Sequence, residues 1–192
     1  MSINGFLPQR GNFRELIAFQ KSECIYDITV LFTRQYLQKG DRTVDQMIQA
    51  ARSGKQNIAE GCSASTTSRE TEIKLLNVAK ASLQELLLDY EDYLRINDFV
   101  QWSKDNPRLV KLRILCTQHN DSAYYRGIFE KCTPEMVCNL AITLIHQTDV
   151  FLRKLIDRAK DDFLKNGGIR EQMTRGRIAY RNSDNSKLDQ YD

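Results

Sequence analysis

The sequence predicts an all-α protein built on four long helices, and three observations carry that prediction. Four segments repeat apolar residues at helical spacing, and none alternates apolar and polar residues over a useful length as a half-buried strand does. Nine glycines and three prolines in 192 residues are too few for a sandwich with many tight turns. Capping chemistry stands where the periodic segments begin: Thr43 with Gln46, Thr67 with Glu70, and Thr133 with Pro134.

The first helix is expected from about Phe13 to Leu37, with Ile17, Cys24, Ile28 and Leu31 on one stripe and Leu16, Phe19, Tyr26 and Val30 beside it. Gly40 and Asp41 end it. The second starts at the Thr43 capping box, turns Val44, Met47, Ile48, Ala51 and Ile58 inward, and stops at Gly61, where a C-terminal glycine cap belongs. The polar run Cys62 to Thr66 leads to the third helix, capped at Thr67 and reaching about Arg95. Its Ile73, Leu76, Lys80, Leu83, Leu87, Tyr90 and Leu94 keep a strict 3-4 repeat, with Leu75, Ala79, Ser82, Leu86 and Tyr93 alongside. The last long helix starts at Thr133 and Pro134 and ends at Gly167-Gly168. It too has two stripes, Val137, Ala141, Leu144, Phe151, Leu155 and Ile142, Ile145, Leu152, Ile156, Phe163.

Faces this wide exceed the roughly three apolar positions in seven that a lone bundle helix needs. They predict burial against another subunit. The competing reading is a deep intramolecular core roofed by the segment 96–132. That segment exceeds a bundle connection of roughly 2–8 residues. It holds Trp102, a helix start at Pro107, Leu109, Leu112, Ile114 and Leu115, a break at His119-Asn120-Asp121, then Tyr124 and Tyr125. The domain reading is a bundle over 12–165 with insertion 96–132, a basic suffix at 166–181, and a tail at 182–192 expected to fray.

Composition excludes several classes. A chain with 41% hydrophobic and 28% charged residues reads as soluble globular material. No run approaches the ~18 apolar residues of a membrane span; the densest, Val137 to Ile145, contains Asn139 and Thr143. No secretory signal is visible, so the cytoplasm is expected and no membrane partner. Five cysteines without paired spacing read as buried, reduced thiols.

Catalytic constellations are missing. His119 lies in the insertion, and His146 sits mid-helix, where a hydrogen-bonded structural role is expected. No Glu-x-x-His pair, phosphate-loop motif or zinc spacing occurs. Asp161-Asp162 and Glu91-Asp92 fall on exposed faces by period. The expectation is a non-enzymatic protein with no catalytic residue, metal or cofactor.

The formal charge of +3 comes entirely from residues 166–181, where Arg170, Arg175, Arg177 and Arg181 face one acid, Glu171. Arginine's planar fork suits phosphate. A solvated basic tail is the plainer alternative. Glu60 breaks a local rule, since it stands in the last turn of the second helix where the dipole disfavours an anion. Asn57 lies one turn earlier. The pair is read as a buried polar lock between the second and third helices, with a polar recognition corner as the alternative.

The run Asn57-Ile58-Ala59-Glu60-Gly61 resembles the Asn-Ile-Ala-Glu-Gly signature of the bacterial four-helix-bundle proteins encoded in 23S rRNA intervening sequences, relatives of the retroelement accessory protein Avd. In the third helix Val78-Ala79, Ala81-Ser82 and Glu85-Leu86 resemble the family's Ile-Ala-x-Gly-Ser-x-x-Glu-Leu. Trp102, Pro107-Arg108, His119-Asn120 and the stretch Gly167 to Arg175 are similar to the subgroup with a suffix domain. The resemblance implies an antiparallel up-and-down four-helix bundle, a homo-oligomer, specifically a homopentamer, and nucleic-acid binding through a basic surface. Where the family has arginines after Glu-Gly, this chain has Cys62, Ser63 and Ala64. Its charge outside the suffix sums to zero, so contacts with RNA or DNA are assigned to Arg170, Arg175, Arg177 and Arg181. The alternative is an interaction scaffold whose suffix, with Ile169, Met173, Ile178 and Tyr180 among its arginines, docks on its own or a neighbouring subunit, or on a partner protein. There its arginines would pair with acids such as Glu91 or Asp92.

Overall fold

The computed structural model describes the backbone of residues 12–188 and the side chains of residues 12–181. Those residues form a 3-10 turn (Phe13–Glu15) and seven α-helices: α1 (Ile17–Tyr36), α2 (Arg42–Ala64), α3 (Arg69–Ile96), α4 (Pro107–Gln118), α5 (Ser122–Phe129), α6 (Pro134–Asn166) and α7 (Ile169–Leu188). No strand occurs among them, so the protein is all-α. Among the described residues no helix is long and apolar enough to cross a membrane. The insertion is α4 and α5, each started by the side chain before it: Asn106 accepts from Arg108 N, and Asp121 from Ala123 N.

The helix ends correct three expectations. Thr133 caps α6 as expected, whereas α2 is capped by Asp41, which accepts from Thr43 N, and α3 by Ser68, which accepts from Thr71 N. Asp41 lies two residues before Thr43 and Ser68 one residue after Thr67, and each caps its helix alone, so neither predicted capping box forms. Gly61 is not a cap. α2 runs three residues beyond it because the following hydroxyls bond back to the last carbonyls: Ser63 to Ala59, Ser65 to Cys62, Thr66 to Ser63 and Thr67 to Ala64. Those bonds satisfy the carbonyls that a glycine turn would otherwise have to close. The backbone of α7 extends to Leu188, into the segment 182–192 read as a tail, and positions 189–192 lie outside the described residues.

Four helices share one core. α1 packs on α2 and α6, α2 on α3, and α3 on α6, while α5 covers α1 and α4 leans on α6. Phe32 of α1 sits within ring contact of Tyr36, Tyr90 and Tyr93, and the fully buried Tyr90 hydroxyl meets Thr29 Oγ1 at 2.9 Å. α2 and α3 approach closely through small residues. A Cβ on Gly54 would lie 2.8 Å from Leu83, and Ser53 Oγ meets Ser82 Oγ at 2.9 Å. Further along, Gly61 lies against Leu75 and Leu76. α3 and α6 are tied by Arg69 to Asp162 at 2.5 Å and by Lys80 to Asp149 at 3.8 Å.

Most of the wide apolar faces is buried inside one chain. On α3, Leu76, Leu83, Leu87, Tyr90 and Leu94 of one stripe and Ala79, Ser82 and Leu86 of the other are buried. On α6 every residue from Val137 to Ile145 is buried, as are Leu152 and Ile156. Most of both stripes is thus buried within the single chain, while Phe163 at the end of the second α6 stripe is 41% exposed. Of the insertion, α4 adds cover to α6 and α5 adds cover to α1.

Candidate nucleic-acid interface

α7 begins where Gly167, at φ +70°, turns the chain out of α6. A side chain there would be strained, and it would also run into Glu171 and Arg175. Gln172 Nε2 donates back to Gly167 O at 3.2 Å, and Arg175 donates to Asn166 O. Ile169, Gln172 and Gly176, at i, i+3 and i+7, are half-buried and mark the inner side of the helix. Beyond this start α7 touches the other helices only slightly.

Arg170, Arg177 and Arg181 fall at i, i+7 and i+11, one stripe turned away from that inner side, and all are exposed. Arg175 is also exposed but stands apart, its guanidinium held against the end of α6. Among the described residues none of the four is in an ion pair. The acids proposed as docking partners are occupied otherwise: Glu91 accepts from Gln101 and Asp92 from Arg95. The apolar side chains between the arginines are open to solvent, with Met173 48%, Ile178 54% and Tyr180 64% exposed.

The structure separates Asn57 from Glu60. Asn57 is half-buried and its Nδ2 donates to Ser53 O and Ser53 Oγ at 2.9 and 3.2 Å, while Glu60 is exposed. The polar link from α2 to α3 runs through Ser53 and Ser82, with Asn57 behind it. His146 is exposed, and His119 stacks on Tyr124 with ring centroids 3.6 Å apart. Cys24, Cys116 and Cys138 are buried thiols, and Cys62 and Cys132 are half-buried.

Two polar arrangements were not recognised as sites in the sequence. Asn139 clamps the strap that leads into α4: its Oδ1 accepts from Trp102 N at 2.8 Å, and its Nδ2 donates to Val100 O and Glu135 O. Glu135 completes the clamp by accepting from Trp102 Nε1 at 2.8 Å. The available signal was an asparagine inside the most apolar run of the chain. Lys21 is 2% exposed, donates to Cys116 O at 2.5 Å, and is held below the usual lysine range by burial, against a weaker opposing pull from Cys116 and Cys24. Burial pushes those thiols up, Cys24 to about 12 and Cys116 to about 11. Lys21 fills the one gap in the stripe Ile17, Cys24, Ile28, Leu31, which is the pattern that could have revealed it.

No family model, curated protein or solved structure matches this chain.

Proposed function

We propose that the protein is a non-enzymatic, antiparallel four-helix bundle that binds RNA or DNA phosphates through Arg170, Arg175, Arg177 and Arg181. The bundle reading is supported by the closed ring of neighbours α1, α2, α3 and α6. Its antiparallel sense is supported by pairs that run in opposite directions, such as Arg69 with Asp162 and Lys80 with Asp149. The observation that carries the binding reading is the row of exposed guanidiniums on α7, which have no carboxylate partner among the described residues. Phosphate neutralised by arginine releases counter-ions, so binding weakens steeply as salt rises. Labelled single- and double-stranded RNA and DNA are titrated at low and moderate salt against the wild type and a variant with all four arginines changed to Ala. Loss of binding in the variant is expected; undiminished binding removes α7 from the mechanism.

A second reading is assembly. The family resemblance implies a pentamer, and the half-exposed Met173 and Ile178, with Leu164 80% exposed at the end of α6, offer apolar surface for a neighbouring copy or a partner protein. Copies would then repeat the arginine row, and weak phosphate contacts would add by avidity. Light scattering on the wild type and on Met173→Ser/Ile178→Ser distinguishes this reading: a particle that falls to a single chain in the variant supports it, and a single chain in both ends it.

A further inference from the structure

A cleft of about 490 Å³ lies between α4, α6 and the strap 97–106, a volume within the roughly 300–1,000 Å³ of small-molecule sites. Trp102, Leu109, Ile142 and Val150 form its apolar wall. Lys104 and Arg113 border it, both exposed, and no carboxylate is among its lining residues. The acids of the adjacent α6 turns are engaged elsewhere: Glu135 accepts from Trp102 and Val100, and Asp149 pairs with Lys80 and Arg153. The cleft is thus apolar within and positive at its edge.

Two details make it a formed site. Trp102 is fixed at both its backbone and its ring by Asn139 and Glu135, so the wall needs little ordering when something binds. Gln147, also in the lining, donates from Nε2 to Arg113 O and Thr117 Oγ1 at 3.1 and 3.3 Å, which ties α6 to α4 beside the cleft.

We propose that this cleft binds a small amphiphilic anion. A ring body lies against Trp102, Leu109 and Ile142, and the acid group sits by Lys104 and Arg113. This site is independent of α7 and of its arginines.

Trp102 is the only tryptophan in the chain, so its emission reports from the wall of the cleft. The probe is 8-anilinonaphthalene-1-sulfonate, which carries fused rings, a sulfonate and an N–H. Titrated into the full chain, it is expected to saturate a single site and quench Trp102. Charge reversal by Lys104→Glu with Arg113→Glu alters two exposed side chains, and unchanged circular dichroism confirms that the fold is kept. It is expected to weaken the sulfonate dye by about tenfold or more, as loss of charge-assisted contacts does. The neutral N-phenyl-1-naphthylamine shares the rings and the N–H; it is expected to bind more weakly and to ignore the charge reversal. Bright dye with unaltered Trp102 emission, or sulfonate binding that the reversal leaves unchanged, overturns the proposal.

Discussion

Gly54 and Gly61 look equivalent in the sequence, two glycines one heptad apart on one helix, and the packing makes them opposites. A Cβ at Gly54 would meet Leu83 at 2.8 Å, and Leu83 is itself buried. At Gly61 the nearest atom, Leu76 Cγ, is 3.4 Å away. Alanine in a helix interior gains up to about 1 kcal/mol over glycine, while overpacking costs about 1–3 kcal/mol. Gly61→Ala is therefore expected to be neutral or stabilising and Gly54→Ala destabilising, read from urea midpoints at unchanged slope. Lys21 gives a second test at this scale. Its folded-state pKa is lowered, so between that value and 10.5 the unfolded chain binds more protons, and stability gains with rising pH. Below that window the full cost of burying an ammonium is present. Lys21→Met is expected to be at least as stable as wild type at neutral pH, with its advantage shrinking as pH approaches 10. An advantage that stays constant with pH contradicts the assignment. Neither residue's behaviour is readable from the sequence: a glycine's neighbour and a lysine's burial are set by helices far along the chain.

Among the elements, the strap before α4 depends on one side chain. Asn139→Leu keeps a similar volume but leaves Trp102 N and Val100 O without their partner, and buried groups so stranded cost about 1–3 kcal/mol each. The expected result is a loss of roughly 2–4 kcal/mol together with a red shift of Trp102 emission as the strap loosens. A stable variant with unshifted emission would show that the strap is held by apolar contact alone. The helices themselves were legible, because a repeat of 3.6 residues is a local property of the chain. The starts of α2 and α3 were displaced because Asp41, Thr43, Thr67 and Ser68 are all competent caps. Which of them serves depends on where the preceding turn releases the backbone.

For the whole molecule, the decisive fact is that α3 and α6 find most of their cover within one chain while α7 stands nearly apart. Removal of residues 169–192 is expected to leave the thermal midpoint of the bundle within a few degrees, since α7 shares little surface with it. The same truncation is expected to abolish retention on immobilised RNA or DNA. A large drop in midpoint would mean that α7 is part of the core, and full retention would place the phosphate contacts on the bundle. The arginine row was visible in the sequence because charge is read directly from residue type. That Arg175 turns back to Asn166 while Arg170, Arg177 and Arg181 share the outer stripe required the helix and its inner side to be known.

The sequence by itself determined that the protein is helical, where its long helices lie, that 96–132 carries a short helix starting at Pro107, and where its excess charge is concentrated. These are consequences of periodicity, composition and residue chemistry, and they need no knowledge of neighbours. Only the tertiary structure decided that most of the wide apolar faces is roofed from within, that Gly61 is a packing residue, and that Ser53 and Ser82 link α2 to α3. The same holds for the clamped Trp102 that walls a cleft. Each of these depends on which side chains meet across long stretches of chain, and hydrophobic patterning states how much surface must be buried without naming what buries it.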